Sequence, residues 1–301
     1  RFNNLQSNKK IVSLSKESFI SINNIFFGTL IFSTMLGVLY PLIYEFIYDQ
    51  KISVGAPFYN AIFVPITLIA CIFLYFSIDS KWQQSFNFKS LYQPLFLSIT
   101  ASSVIVTLAF YKFLIVNFWT LASLLIGSII IIRYLIVIYF YFVYRKFANF
   151  FSIIAHCGLG LLIISIALND NLSSERALNI KINETEVYKD YQINFKNLRV
   201  VPGPNFDSVK ADFVITNPNG KVFTLTPEKR KYFARGQVTT ETAIHASALK
   251  DIYMTIGDQL DDGSWIVNIQ FNVFIRWIWF SAIMMVLAGL LLTHSLSRSR
   301  S

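Results

Sequence analysis

The chain has 301 residues, of which 54% are hydrophobic and 14% charged, against roughly 25% charged in ordinary soluble domains. Phe alone occurs 29 times, more apolar surface than a water-soluble fold of this size can hide. Disorder is excluded by the same hydrophobicity, and a disulfide scaffold by a count of two Cys. What remains is the membrane class. The first residue is Arg1 rather than Met, which reads as a fragment or a processed product, and no secretory signal pattern stands at the start.

A spanning helix needs about 20 mostly apolar residues. Ser18 to Tyr44 is a run of 27 residues without a charge, and Pro57 to Ile78 one of 22. The stretch from Ser90 to Tyr144, 55 residues holding only Lys112 and Arg133, is too long for one crossing and folds back near Tyr111–Asn117. Further runs cover Phe147–Asn169 and Trp277–Ser297. The expected spans are therefore 19–47, 57–78, 92–111, 118–144, 148–168 and 273–294.

The formal net charge of +9 is unevenly placed. Residues 169–271 hold twelve Lys/Arg and thirteen Asp/Glu, leaving fourteen basic and four acidic side chains elsewhere. The basic residues flank apolar runs, the pattern of membrane orientation and not of nucleic-acid binding. With the N-terminus inside, the inner segments carry Arg1, Lys9, Lys10, Lys16, Lys81, Lys89, Arg145, Lys146, Arg298 and Arg300, and the short outer loops only Lys51 and Lys112. The expected fold is a polytopic α-helical membrane protein of about six helices, with a small β-rich outer domain inserted before the last. The organisation is an inner N-terminal segment (1–18), five helices (19–168), the outer domain (169–271), the last helix (272–294) and an inner tail (295–301).

The outer segment alternates polar and apolar residues in Val209–Thr216 and Val222–Thr226, joined by Asn217-Pro218-Asn219-Gly220. A second hairpin is signalled by Ile252–Ile256 and Trp265–Gln270 around Asp261-Asp262-Gly263. A small barrel or sandwich is expected. Cys71 and Cys157 fall in membrane helices and read as reduced packing residues.

Walker loops, dinucleotide fingerprints, zinc spacings and nucleophile–His arrangements are absent. His156 is the sharpest candidate for chemistry. It lies ten residues after Lys146 and thirteen before Asn169, so roughly 15 Å and 20 Å from the two faces at about 1.5 Å per residue. An ionisable residue at mid-depth is a functional candidate, and a neutral imidazole offers the lone pair that haem iron takes. Ser152, His156 and Gly160 share one stripe, and Gly158 and Gly160 remove bulk beside the ring, where a flat macrocycle could approach. The competing reading is a His hydrogen-bonded to a neighbouring helix, with the glycines serving close packing. Arg133 either snorkels to the inner headgroups or meets a carboxylate, such as a haem propionate. His294 is read as interfacial and His245 as a surface or locally bonded residue. The cluster Lys229-Arg230-Lys231 with Arg235 is either solvated or meets carboxylates of a ligand or acidic partner. Arg276-Trp277-Ile278-Trp279 anchors the last helix at the interface.

Several strings together carry a resemblance. They are Ser53-Val54-Gly55-Ala56-Pro57-Phe58-Tyr59-Asn60, Ala155-His156-Cys157-Gly158, Gly203-Pro204-Asn205 and Pro227-Glu228-Lys229-Arg230-Lys231-Tyr232. Thr240-Glu241-Thr242-Ala243-Ile244, Leu260-Asp261-Asp262-Gly263-Ser264-Trp265 and Arg276-Trp277-Ile278-Trp279 complete them. In this order the chain resembles the C-terminal half of the CcmF family of cytochrome c-type biogenesis proteins, from about Ser15 to Leu292. Cys157, where an apolar residue is more usual, is a mild departure, and His245 inherits no role.

The resemblance implies work on haem: a haem lyase attaching haem to the Cys-x-x-Cys-His motif of apocytochrome c. His156 matches the second of the family's two intramembrane histidines that ligate a b-type haem. The other would come from an upstream half, or a separate chain, carrying a tryptophan-rich segment and flanking outer histidines. The implied cofactor is thus a haem b shared with that partner, and this chain alone is expected to be inactive. No residue here is assigned a catalytic role. The implied partners are that half or chain, a haem chaperone, apocytochrome c with its thiol-handling and presenting subunits, and membrane lipid, with no nucleic acid. The implied location is the inner membrane, bacterial or mitochondrial, with residues 169–271 on the periplasmic or intermembrane-space side. A haem transporter or export subunit and a non-catalytic assembly scaffold are the alternatives, although a transporter would be expected to show broken helices or paired polar sites at mid-depth.

Overall fold

A computed structural model describes residues 12–144, 150–234 and 236–298. The flanking charges Arg1, Lys9, Lys10, Arg145, Lys146 and Arg300, and Arg235 of the basic cluster, lie outside the described residues. Two compact units divide the chain, residues 1–167 with 280–301, and residues 168–279.

The first unit is helical. Its helices belong to α1 (Lys16–Tyr48), α2 (Ala56–Ser77), α3 (Tyr92–Phe113), α4 (Phe118–Tyr144), α5 (Phe150–Leu172) and α6 (Ile275–Arg298). All six are long and apolar enough to cross a membrane. Local chemistry sets their ends. Ser15 caps α1, its hydroxyl accepting from the Ser18 amide at 3.4 Å, so the helix begins a turn before residue 19. Asp49 closes it in the left-handed region at φ 52°. The fold-back between α3 and α4 occupies residues 114–117, with Leu114 left-handed at φ 52°. Asn117 Oδ1 then accepts from the amides of Trp119 (2.8 Å) and Thr120 (3.2 Å), satisfying two of the donors that open α4. Leu68 and Cys71 of α2, Ile130 and Tyr134 of α4, and Ile153 and Ile163 of α5 form a buried cluster, with Cys157 packed against it. Both cysteines are free thiols in apolar surroundings.

The second unit is a β-sandwich of ten strands. They are β1 (Ser174–Ile180), β2 (Thr185–Tyr188), β3 (Tyr191–Pro202), β4 (Phe206–Thr216), β5 (Val222–Leu225), β6 (Glu228–Tyr232), β7 (Val238–Glu241), β8 (Ala243–His245), β9 (Lys250–Gln259) and β10 (Trp265–Val273). One sheet runs β1-β10-β9-β8, and the other β2-β3-β4-β6-β7 with β5 also paired to β4. Both expected hairpins are present. Val222 pairs with Thr216 across a turn in which Gly220 takes φ +77°, and β9 pairs with β10 across a turn in which Gly263 takes φ +81°. Inward residues of both sheets, among them Phe195, Phe213, Ile215, Met254, Ile269 and Phe271, are almost wholly inaccessible and make one core. Phe195 and Phe213 are register partners whose rings stack at 4.5 Å, so the cross-strand pair is also the centre of the packing.

The last helix starts later than residue 273. The β10 ladder persists to Val273, and Phe274 turns the chain at φ 61° before α6 begins. Within this unit Arg276 Nε donates to Asp251 at 3.1 Å, and Trp277 Nε1 donates to the Ala248 carbonyl at 2.9 Å. The Arg276 side chain is therefore held by a carboxylate of β9.

Candidate haem-ligand site

Helical spacing puts Ser152, His156 and Gly160 on one face of α5, and that face meets α4. The His156 ring lies against Tyr134, with centroids 5.1 Å apart and planes 8° from parallel. One turn further along, a Cβ on Gly160 would stand 2.8 Å from the Gly127 carbonyl oxygen, and one on Gly127 would stand 2.9 Å from the Gly160 carbonyl oxygen. The helices touch backbone to backbone there, as small residues permit. On a neighbouring face of α5, a Cβ on Gly158 would come within 3.0 Å of Met285 and 3.1 Å of the Ser281 carbonyl, both on α6. The bulk these glycines lack is taken up by helices of the same chain. This corrects the expectation that they clear room for a macrocycle.

The imidazole itself is arranged as a ligand histidine would be. Nδ1 lies 2.6 Å from the Ser152 carbonyl oxygen and 3.1 Å from the Ser152 hydroxyl. A carbonyl can only accept, so Nδ1 carries the proton and the neutral ring holds its lone pair on Nε2. A backbone acceptor on the far nitrogen is the usual way a protein fixes tautomer and ring direction for a metal. The residue is half-buried. Among the described residues, no group of three or more His, Cys, Asp or Glu could hold a metal ion.

Arg133, the residue before Tyr134, is 6% exposed. Its Nη2 reaches both oxygens of Asp79 at 2.6 and 2.7 Å, just beyond the end of α2. It meets a carboxylate, and the carboxylate is the chain's own. Nε is buried without a hydrogen-bond partner among the described residues. No sequence pattern singles out Asp79. Its signal was scarcity, since it is one of only four acidic residues outside 169–271.

The other two histidines lie on other elements. His245 ends β8 and stacks on Phe223 at 3.7 Å, a local contact in the sandwich. His294 is on the last turns of α6, exposed.

The basic cluster is largely spoken for. Glu228, itself buried, accepts from the Ser208 hydroxyl at 2.6 Å and pairs with Arg230 and with Lys210. Arg230 also faces Glu241 at 3.5 Å, and Lys229 pairs with Asp258. Burial alone pushes the Glu228 carboxyl up, but hydrogen bonds from Ser208, Arg230 and Lys210 outweigh it and hold the group below its ordinary value. Hydrogen bonding from Arg199 similarly lowers Asp212. The reading of this run as a docking site for foreign carboxylates thus gives way to internal pairing for Lys229 and Arg230.

Comparison with known proteins bears on the whole chain. Residues 171–273 match the family model described as the CcmF C-terminal beta-sandwich. The cytochrome c-type biogenesis protein CcmF of Haemophilus influenzae is 29% identical over 290 residues, covering 92% of this chain and 44% of its own length. The Escherichia coli protein of the same name is 28% identical over 280 residues, with 92% and 43% covered. A solved structure titled cytochrome c heme lyase CcmF superposes with a TM-score of 0.75 at 14% identity, over 93% of this chain and 46% of that one, and so shares its fold. The chain thus spans under half the length of the relatives it matches. Over 92% of its length this chain is therefore similar to the C-terminal part of the CcmF cytochrome c-type biogenesis proteins, its residues 171–273 match that family's C-terminal beta-sandwich, and its six apolar helices with a two-sheet sandwich between the fifth and sixth share the fold of the solved structure.

Proposed function

We propose that this chain is the haem-binding part of a cytochrome c haem lyase, with Nε2 of His156 as one axial ligand of a b-type haem whose second ligand comes from another polypeptide segment. The observation that carries the reading is the hydrogen bond from Nδ1 of His156 to the Ser152 carbonyl, which leaves Nε2 as the donor atom inside an apolar helix. The donor set suits haem iron, which takes neutral imidazole. Held through Nε2 of His156, such a haem would supply one-electron relay chemistry, passing electrons from an external reductant.

The chain's own residues bind and orient. Ser152 fixes the tautomer, Tyr134 covers one face of the ring, and the α4–α5 seam holds both helices at fixed rotation. Arg133 is the candidate donor to a propionate, because its Nε is a buried N–H group of the helical unit left without a partner among the described residues. The remaining machinery would reside in the upstream half or a separate chain, together with a haem chaperone, apocytochrome c and its thiol-handling subunits. The membrane would be an inner membrane, with the sandwich on the periplasmic or intermembrane-space side, as the distribution of Lys and Arg supports.

The test is an absorption spectrum of the complex of this chain with its complementary half. A reduced, low-spin b-type spectrum that disappears in His156→Ala is expected. A spectrum unaltered by that substitution removes His156 from the site. Sidedness is read separately: protease added from the outer side should cut within residues 169–271 and spare the loop at Lys81–Lys89, and the opposite pattern would reverse the orientation.

A further inference from the structure

We infer that Tyr134 is the positioning residue that sets the plane of the His156 imidazole, a role that rests on His156 being an axial ligand. A histidine held only at Nδ1, here by the carbonyl and hydroxyl of Ser152, keeps one soft degree of freedom, the tilt of its ring plane through the side-chain torsions. The Ser152 carbonyl fixes where Nδ1 points and leaves the ring's tilt open. Tyr134 closes that freedom. Its ring lies 8° from parallel with the imidazole at a centroid separation of 5.1 Å, so tilting the imidazole drives it into the phenol face. Tyr134 is itself held firmly, being 5% exposed within the apolar cluster of α2, α4 and α5. The residue before it, Arg133, is tied to Asp79, which fixes the rotation of α4 at this level. Two helices therefore hold the ring from two directions: α5 through the carbonyl of Ser152 and α4 through the face of Tyr134.

The plane of an axial imidazole controls its π overlap with iron and so the magnetic anisotropy of low-spin ferric haem. Tilt is therefore visible in an electron paramagnetic resonance spectrum even where haem content is unchanged. The experiment uses the assembled complex and compares Tyr134→Phe, Tyr134→Leu and Tyr134→Met with the parent, measuring haem content and the low-spin ferric signal of each. Tyr134→Phe keeps the ring face and should keep the parental signal. Tyr134→Leu and Tyr134→Met, which keep bulk without a planar face, should retain haem and show a shifted or broadened signal. An unshifted signal in both overturns the positioning role and leaves Tyr134 a packing residue. So does failure of both to assemble while Tyr134→Phe assembles. His156→Ala is run alongside: haem retained there refutes the ligand assignment itself, an outcome distinct from failure of the Tyr134 inference.

Discussion

Nη2 of Arg133 stands 2.6 and 2.7 Å from the two carboxylate oxygens of Asp79, joining α4 to the loop after α2 across 54 residues of sequence. The arginine is almost fully buried, and the aspartate is partly so. Such a pair contributes little beyond what apolar residues would in its place, but removing one partner strands the other charge. Asp79→Asn should therefore destabilise the helical unit by about 3–5 kcal/mol. Replacing both residues with apolar side chains of similar volume should restore much of the loss. Thermal melting of the detergent-solubilised protein checks this, and equal destabilisation by the single and double variants would contradict it.

Gly160 and Gly127 form a close backbone approach between α4 and α5. A methyl group at Gly160 meets a carbonyl oxygen and Ile131, neither the end of a flexible chain. Gly160→Ala should cost about 1–3 kcal/mol by overpacking. It should also displace Tyr134 from His156, since both contacts lie on the same seam. Gly289 has nothing within 4 Å of its would-be Cβ, so Gly289→Ala should be neutral or slightly stabilising and serves as the control.

Glu228 is one of the sandwich carboxylates, with Asp212, Glu175 and Asp262, that are held below their ordinary values. Its carboxyl is held below the ordinary 4.5 in the folded state. A depressed carboxylate contributes stability that is complete above the unfolded value and lost as pH falls through the folded one. Melting temperature, followed through the fluorescence of Trp265 and its neighbours, should thus fall as pH drops below about 4.5, with the loss attributable to this group absent in Glu228→Gln. That variant should start lower at neutral pH, since it loses the charge facing Arg230 and Lys210. An acid limb as steep in Glu228→Gln as in the parent would assign the loss to other carboxylates.

Much of this architecture was legible before any coordinates. Long charge-free runs define helices because each must satisfy its own backbone in lipid. Asn-Gly and Asp-Gly turn chemistry between alternating strands marks hairpins, and both marked hairpins pair as expected. Helix ends shifted by a few residues where caps decided them: Ser15 begins α1 early, and Phe274 delays α6. What the sequence did not disclose is which faces meet. Gly158 and Gly160 have the same composition whether they border a cofactor or a helix, and only the placement of Gly127, Ile131 and Met285 decides for helices. Asp79 and Arg133 find each other through tertiary packing, as do Tyr134 and His156, and no spacing rule spans such separations. In the same way Lys229 and Arg230 read as a free basic run until Asp258, Glu228 and Glu241 fold back onto them.

The most direct measurement is a density map of the assembled, haem-loaded complex at a resolution that separates the two faces of an imidazole. The account predicts porphyrin density on the Nε2 side of His156, iron within bonding distance of that nitrogen, and the Tyr134 ring parallel to the imidazole on its flank. A map in which Nε2 faces lipid or another side chain, with iron ligated elsewhere, would contradict it.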